Sequence, residues 1–318
     1  MIGRALFGAA LALVLSASAH AAEKLTVYSA GPADLIETLA KGFTDKTGTP
    51  VEVFQGTTGK VMARIEAEAA NPIVDVVISA SWDSASDFSE RGWLVDYASP
   101  NAEKVPAFLK TRNAVAQGVS ALGIAWNPKS GTPRPTDWAD LAKPEYKDAV
   151  TMPDPAQSGA TFELVAALEG RTGDWSLFES LAKNGMATGG ANAAALTPVL
   201  QGAKAAVFGA VDYISLAGKA KGESIEVIFP ASGTVIAPRP MMIMTWSKQQ
   251  DAAKAFIDYV LSDEGQKAVA AVYLMPARED AKADRALIGD LKLLPIDTKK
   301  VYGARKELLA GFAKAAGK

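Results

Sequence analysis

The chain has no cysteine and only one histidine, His20, in 318 residues. Without cysteine there is no disulfide, no thiolate nucleophile or metal ligand, and no covalent haem attachment. Nor does any run approach the roughly 18 apolar residues of a membrane-spanning helix. No block of one charge stands out: 33 basic and 35 acidic side chains give a net charge of −2. The basic stripe that nucleic-acid binding requires is missing, so nucleic acid is not expected as a partner.

At the N-terminus, Arg4 precedes an apolar run from Ala5 to Leu15, and Ala19-His20-Ala21 follows. This layout predicts a cleaved secretory signal peptide at 1–21, a mature start at Ala22 and a periplasmic location. Glu23 and Lys24 end the apolar stretch, and no cysteine follows that could carry a lipid. Cleavage would remove His20, leaving no Ser-His-Asp system and no His-ligated zinc. It would leave 297 residues with 32 basic and 35 acidic side chains, a net charge of −3. That length exceeds one compact core and predicts two lobes, large enough to be stable without disulfides.

Leu25–Ser29 alternates as a half-buried strand, and Leu35, Ile36, Leu39 and Phe43 recur at helical spacing after Gly31-Pro32. Pro32 suits a first helical turn. Val51–Phe54 reads as a strand, Gly56–Gly59 as a turn, and Val61, Met62, Ile65 and Ala69 as a helix. Val74–Ile78 is a continuous apolar strand, as expected when both faces are covered. Such alternation implies a mostly parallel sheet with right-handed crossovers. Val119–Trp126 and Val235–Met244 read as passages to and from a second lobe. This predicts one lobe from 22–123 plus 241–285, another from 124–240 plus 286–318, and a two-strand hinge that closes on a ligand. Within the second lobe, helices are expected at Trp138–Leu141, Gly159–Leu168, Trp175–Ala182 and Ala194–Gln201, with strands at Ala149–Met152, Ala205–Gly209 and Ile225–Phe229.

Four segments carry a resemblance: Val27-Tyr28-Ser29-Ala30-Gly31-Pro32, Pro153-Asp154-Pro155-Ala156-Gln157-Ser158-Gly159, Gly209-Ala210-Val211-Asp212-Tyr213 and Pro230-Ala231-Ser232-Gly233-Thr234-Val235. In order and spacing the chain resembles family 1 extracellular solute-binding proteins over nearly all of its mature length. The branch includes ferric-ion-, aminoethylphosphonate- and hexose-phosphate-binding proteins. The resemblance implies an α/β, two-lobed periplasmic-binding-protein fold of type II and no catalysis, cofactor or resident metal. It implies a monomer that captures a small solute and hands it to an inner-membrane ABC permease with its ATPase. Service to a chemoreceptor is equally compatible with that fold.

Iron binders of this branch use adjacent tyrosines and a synergistic anion. Here Tyr213 lies between Asp212 and Ile214, and no two of the 7 tyrosines are adjacent. The alternative of a ferric-ion-binding protein is therefore placed second. The anion half is better represented. Ser158, Gly159, Ala160 and Thr161 lie between strand and helix, where backbone N–H groups and the helix dipole favour an anion. Thr57 and Thr58 repeat the arrangement in the first lobe, and Ser29, Gly31 and Ser79 stand at carboxyl ends of strands, where α/β folds bind ligands. Asn192, Asp212 and Tyr213 are assigned to the remainder of the ligand. The expected ligand is a small anionic solute, a sugar phosphate or an aminoalkylphosphonate.

Simpler roles compete. Serine and threonine beside glycine serve as caps and turns. Gly56–Lys60 lacks the spacer and the Ser/Thr of a Walker loop, since Val61 follows Lys60. Arg239, between two prolines, reads as a hinge salt bridge, and Asp212 reads equally as a helix N-cap. Trp126, Trp246, Met241, Met242 and Met244 read as packing. A carboxylate-based cell-wall hydrolase stays open as a different class, with no acid pair marked.

Overall fold

The computed structural model describes residues 24–296 and 301–317. The expected signal peptide at 1–21 lies outside the described residues. β1 (Leu25–Ser29) leads to α1 (Ala33–Thr47), which buries Leu35, Ile36, Leu39 and Phe43 and ends at Gly48 with φ 77°. Glycine adopts that left-handed cap at no Cβ cost. Pro32 occupies the N-cap position, one step before the expected first turn. β2 (Val51–Gln55), α2 (Thr58–Ala67) and β3 (Val76–Ile78) follow. Next comes α3 (Asp83–Glu90), which carries little helical signal because few of its residues are apolar. β4 (Val115–Trp126) is buried along its whole length.

The second half contains β5 (Val150–Met152), α4 (Gly159–Thr172), α5 (Ser176–Lys183), β6 (Ala187–Thr188), α6 (Asn192–Leu200), β7 (Ala206–Val211), α7 (Asp212–Ala220) and β8 (Glu226–Ile228). The short helix expected at Trp138 is a 3-10 turn, Trp138–Ala142, closed by an Asp137–Asp140 capping box. β9 (Ile236–Ile243), α8 (Gln250–Val260), α9 (Asp263–Ala271) and β10 (Met275–Pro276) return to the first half, and a helix at Arg305–Ala315 packs on the second.

The strands form one path, β2-β1-β3-β9-β4-β7-β5-β6, with β8 and β10 pairing to β4. β1 pairs in parallel with β2 and β3, and β5 with β6 and β7. The crossing strands β4 and β9 run antiparallel to each other, which makes the whole sheet mixed. Pro238 and Pro240 lie in the crossing part of β9 opposite Val119 and Ala116, where the register shifts between Ala116 and Val119. Proline donates no ladder hydrogen bond, so an irregular partner strand is the arrangement that tolerates two of them.

Two main cores flank this crossing. The first gathers Val27, Leu39, Phe43, Val76, Val119, Met241, Ile243, Phe256 and Val260. The second gathers Leu122, Ile124, Trp138, Met152, Leu164, Phe178, Phe208 and Ala237. The fold is that of a type II periplasmic binding protein, with β4 and β9 as the link between lobes.

Candidate functional site

The carboxyl ends of β1 and β3, the N-terminus of α2 and the N-terminus of α4 converge where the lobes face each other. Thr57 caps α2 by accepting from the Lys60 N–H at 3.3 Å, and Ser158 caps α4 by accepting from the Thr161 N–H at 3.2 Å. Both fill ordinary capping roles. They are also brought to the seam between lobes. A Cβ on Gly159 would lie 2.9 Å from Ser81 Cβ and from Thr58 Oγ1. The Gly59 N–H donates to the Gln157 carbonyl at 3.3 Å. The two small-residue turns therefore touch directly, and glycine is required because any side chain would separate them.

Behind this seam, Ser158 Oγ donates to Asn192 Oδ1 at 3.1 Å, and Thr161 Oγ1 donates to Ser158 Oγ at 2.9 Å. Ser158, Thr161 and Ala160 are buried, while Asn192, at the start of α6, is half-buried. These four residues, with Gly159, Thr57 and Thr58, form one cluster.

A second cluster surrounds Gly31. Ser29 Oγ accepts from the Gly31 N–H at 3.1 Å, and a Cβ on Gly31 would lie 3.8 Å from Gln117 Oε1. Arg239, only 1% exposed, donates from Nη1 to the Ala30 carbonyl at 3.0 Å, and its guanidinium lies 5.3 Å from the centre of the half-buried Tyr213 ring. Arg239 Nε and Gln117 Oε1 are buried without a hydrogen-bond partner. The hinge salt bridge expected for Arg239 is thus replaced by a carbonyl and an aromatic face.

Three further assignments change. Asp212 is fully buried at the start of α7. Its Oδ1 accepts from the Tyr213 N–H at 2.7 Å, and its Oδ2 accepts from the Ala121 N–H at 3.0 Å and from Arg285. Burial pushes its carboxyl pKa up while Arg285 opposes the shift. With both oxygens engaged inside the protein, Asp212 has no free acceptor for a ligand, and its role is to fix α7 against β4. Ser29 spends its oxygen on the turn at Gly31. Ser79 is fully buried, pairs with Ser84 Oγ at 2.7 Å and accepts from the Ser81 N–H at 3.3 Å. Neither serine is the open donor the sequence suggested.

Several residues here carried no sequence signal. Gln117 sits inside an apolar strand, and Arg285 lies in a polar stretch far along the chain. Ser81, Asp83, Glu163, Tyr302 and Arg305 meet only through the fold. Glu163 is 1% exposed and burial pushes its carboxyl up to about 7. Among the described residues, no group of three or more His, Cys, Asp or Glu side chains is placed to hold a metal.

Residues 71–301 match the family model described as bacterial extracellular solute-binding protein. Over 280 residues the chain is 23% identical to a Salmonella typhimurium periplasmic protein provisionally assigned to 2-aminoethylphosphonate binding, covering 83% of this chain and 82% of that one. It is similar in structure to the periplasmic binding protein AfuA of Actinobacillus pleuropneumoniae with fructose-6-phosphate bound, at TM-score 0.84 and 25% identity, covering 92% and 98% of the two chains. It also resembles a ferric binding protein of Campylobacter jejuni, at TM-score 0.79 and 25% identity, covering 92% and 99%. With a family match across most of its length and two lobes linked by crossing strands, the chain belongs to the bacterial extracellular solute-binding proteins.

Proposed function

We propose that this protein captures a small organophosphorus anion, a sugar phosphate or an aminoalkylphosphonate, between its lobes. Members of its family serve as the ligand-binding component of ABC importers, with a permease and an ATPase. The reading places the protein in the periplasm after loss of residues 1–21, with lobe boundaries at 22–123 plus 241–285 and 124–240 plus 286–318. The observation that carries the ligand class is Arg239. A buried guanidinium with no carboxylate partner among the described residues is costly. An anionic ligand would offset that cost, and Tyr213, Ser158, Gly159 and Asn192 supply further polar contacts. The anions named for two of the similar proteins support the same chemistry.

Thermal denaturation with 2-aminoethylphosphonate, fructose-6-phosphate and inorganic phosphate tests the reading. A true ligand at 100 times its dissociation constant adds about 2.7 kcal/mol. Replacing Arg239 with methionine abolishes that gain and leaves the ligand-free protein as stable as before or more so, because the unpaired charge is gone. No shift with any phosphorus compound, together with a visible absorption band on adding ferric ion, replaces this reading with ferric-ion binding.

A further inference from the structure

Away from Arg239, the lobes are joined by a cluster centred on Glu163. Glu163 belongs to α4 in the second lobe. Its Oε1 accepts from Ser81 Oγ at 2.7 Å and from the Trp82 N–H at 2.9 Å, both at the N-terminus of α3 in the first lobe. Trp82 offers no side-chain cap of its own, and Ser81 Oγ, which accepts from the Asp83 N–H at 3.2 Å, is the hydroxyl that donates to Glu163. The carboxylate of one lobe therefore caps a helix of the other, where the helix dipole favours negative charge. Tyr302 donates to Oε2 at 3.3 Å. One residue along, Phe162 lies under the Arg305 guanidinium at 4.3 Å, and Arg305 Nη1 donates to Asp83 of α3 at 3.0 Å. The Asp83–Arg305 pair thus crosses the lobe boundary beside Glu163.

We propose that Glu163 is a positioning residue that holds the lobes together, and that the closed arrangement takes up a proton as it forms. Separating the lobes breaks every first-lobe contact of Glu163 and returns its carboxyl to water. Among the described residues, the charged and titratable groups around it are Asp83 and Glu90 of α3, Tyr302, and Arg305 of the C-terminal helix. Arg305 is paired with Asp83, so among the described residues an ionised Glu163 is the surplus charge in the closed cluster. Burial pushes the Asp83 carboxyl up as well, which adds in the same direction. Glu163 lies at the wall of a cavity of about 650 Å³ that Trp82, Glu90 and Tyr302 also line. Its pKa of about 7 in the closed form stands above the ordinary 4.5. A carboxyl raised in this way favours closing at low pH, and the advantage is lost as pH rises from about 4.5 toward 7.

The test needs no ligand, so it stands or falls separately from the proposed organophosphorus specificity. In a chain without native cysteine, Lys41→Cys on α1 and Lys219→Cys on α7 place one spin label on each lobe, both at exposed positions. Distances are measured by pulsed electron resonance between about pH 8 and about pH 5, on either side of the raised value of about 7. The closed-to-open ratio rises roughly tenfold or more on acidification. Glu163→Gln keeps an oxygen acceptor for Ser81 and the Trp82 N–H but carries no charge. It stays mostly closed at every pH and loses the profile. Ser81→Ala, which removes one donor, lowers the closed fraction while keeping the pH dependence. A flat profile in the parent protein, an unchanged profile in Glu163→Gln, or a Glu163→Gln protein open throughout overturns the proposal.

Discussion

Asp212 and Arg285 are separated by 73 positions and meet at 0% and 2% side-chain exposure. In the sequence Asp212, beside Tyr213, reads as a ligand contact or as a helix N-cap. The fold surrounds it with Ala121, Tyr213 and Arg285, so this side chain holds β4, α7 and the loop carrying Arg285 together. Removing Arg285 leaves that carboxylate buried and uncompensated. Arg285→Ala is expected to lower stability by about 3–5 kcal/mol in urea unfolding, whereas ligand affinity measured below the transition should change little. A carboxylate exposed to ligand would give the opposite pattern. Arg239 shows the reverse case. Its position between two prolines points to the hinge, yet nothing local reveals that the guanidinium finds no acid among the described residues.

At the level of elements, periodicity was a good guide wherever one face was apolar. α1 and α2 are found where Leu35, Ile36, Leu39 and Phe43, and then Val61 and Ile65, put them. α3 escaped because Asp83–Glu90 is mostly polar and is held by Phe88 and Ala85 on a narrow face. The N-termini of α2 and α4 were recognised as small-residue turns, and they cap their own helices as well as meeting across the cleft. A Cβ on Gly59 would lie 2.7 Å from the Ala156 carbonyl oxygen. Gly59→Ala should therefore oppose closing by about 1–3 kcal/mol, read as a loss of ligand affinity in calorimetry with an unchanged melting temperature of the free protein. Ser158→Ala should cost about 1 kcal/mol of stability through its lost cap and weaken ligand binding further. Equal affinity in both variants would place the anion elsewhere.

For the whole molecule, neither lobe is continuous in sequence. β9, α8 and α9 supply Met241, Ile243, Phe256, Ile257 and Val260 to the core that also contains Val27 and Phe43. A fragment of residues 24–126 lacks that half of its core and is expected to show no cooperative unfolding transition by circular dichroism, while the full chain does. A folded fragment would contradict the interleaving. The sequence by itself determined the alternation of strand and helix, the two crossings and the small-residue turns, because each depends on local periodicity or on the conformational freedom of a few residues. It also placed the chain near its family through motif order. Only the tertiary structure decided which polar side chains face one another. It tied Asp212 to Arg285, left Arg239 without a carboxylate among the described residues, and set Glu163 on the helix terminus of the other lobe. Those outcomes depend on burial and pairing between residues far apart in the chain, where the cost of an isolated charge is fixed by neighbours that no local pattern records.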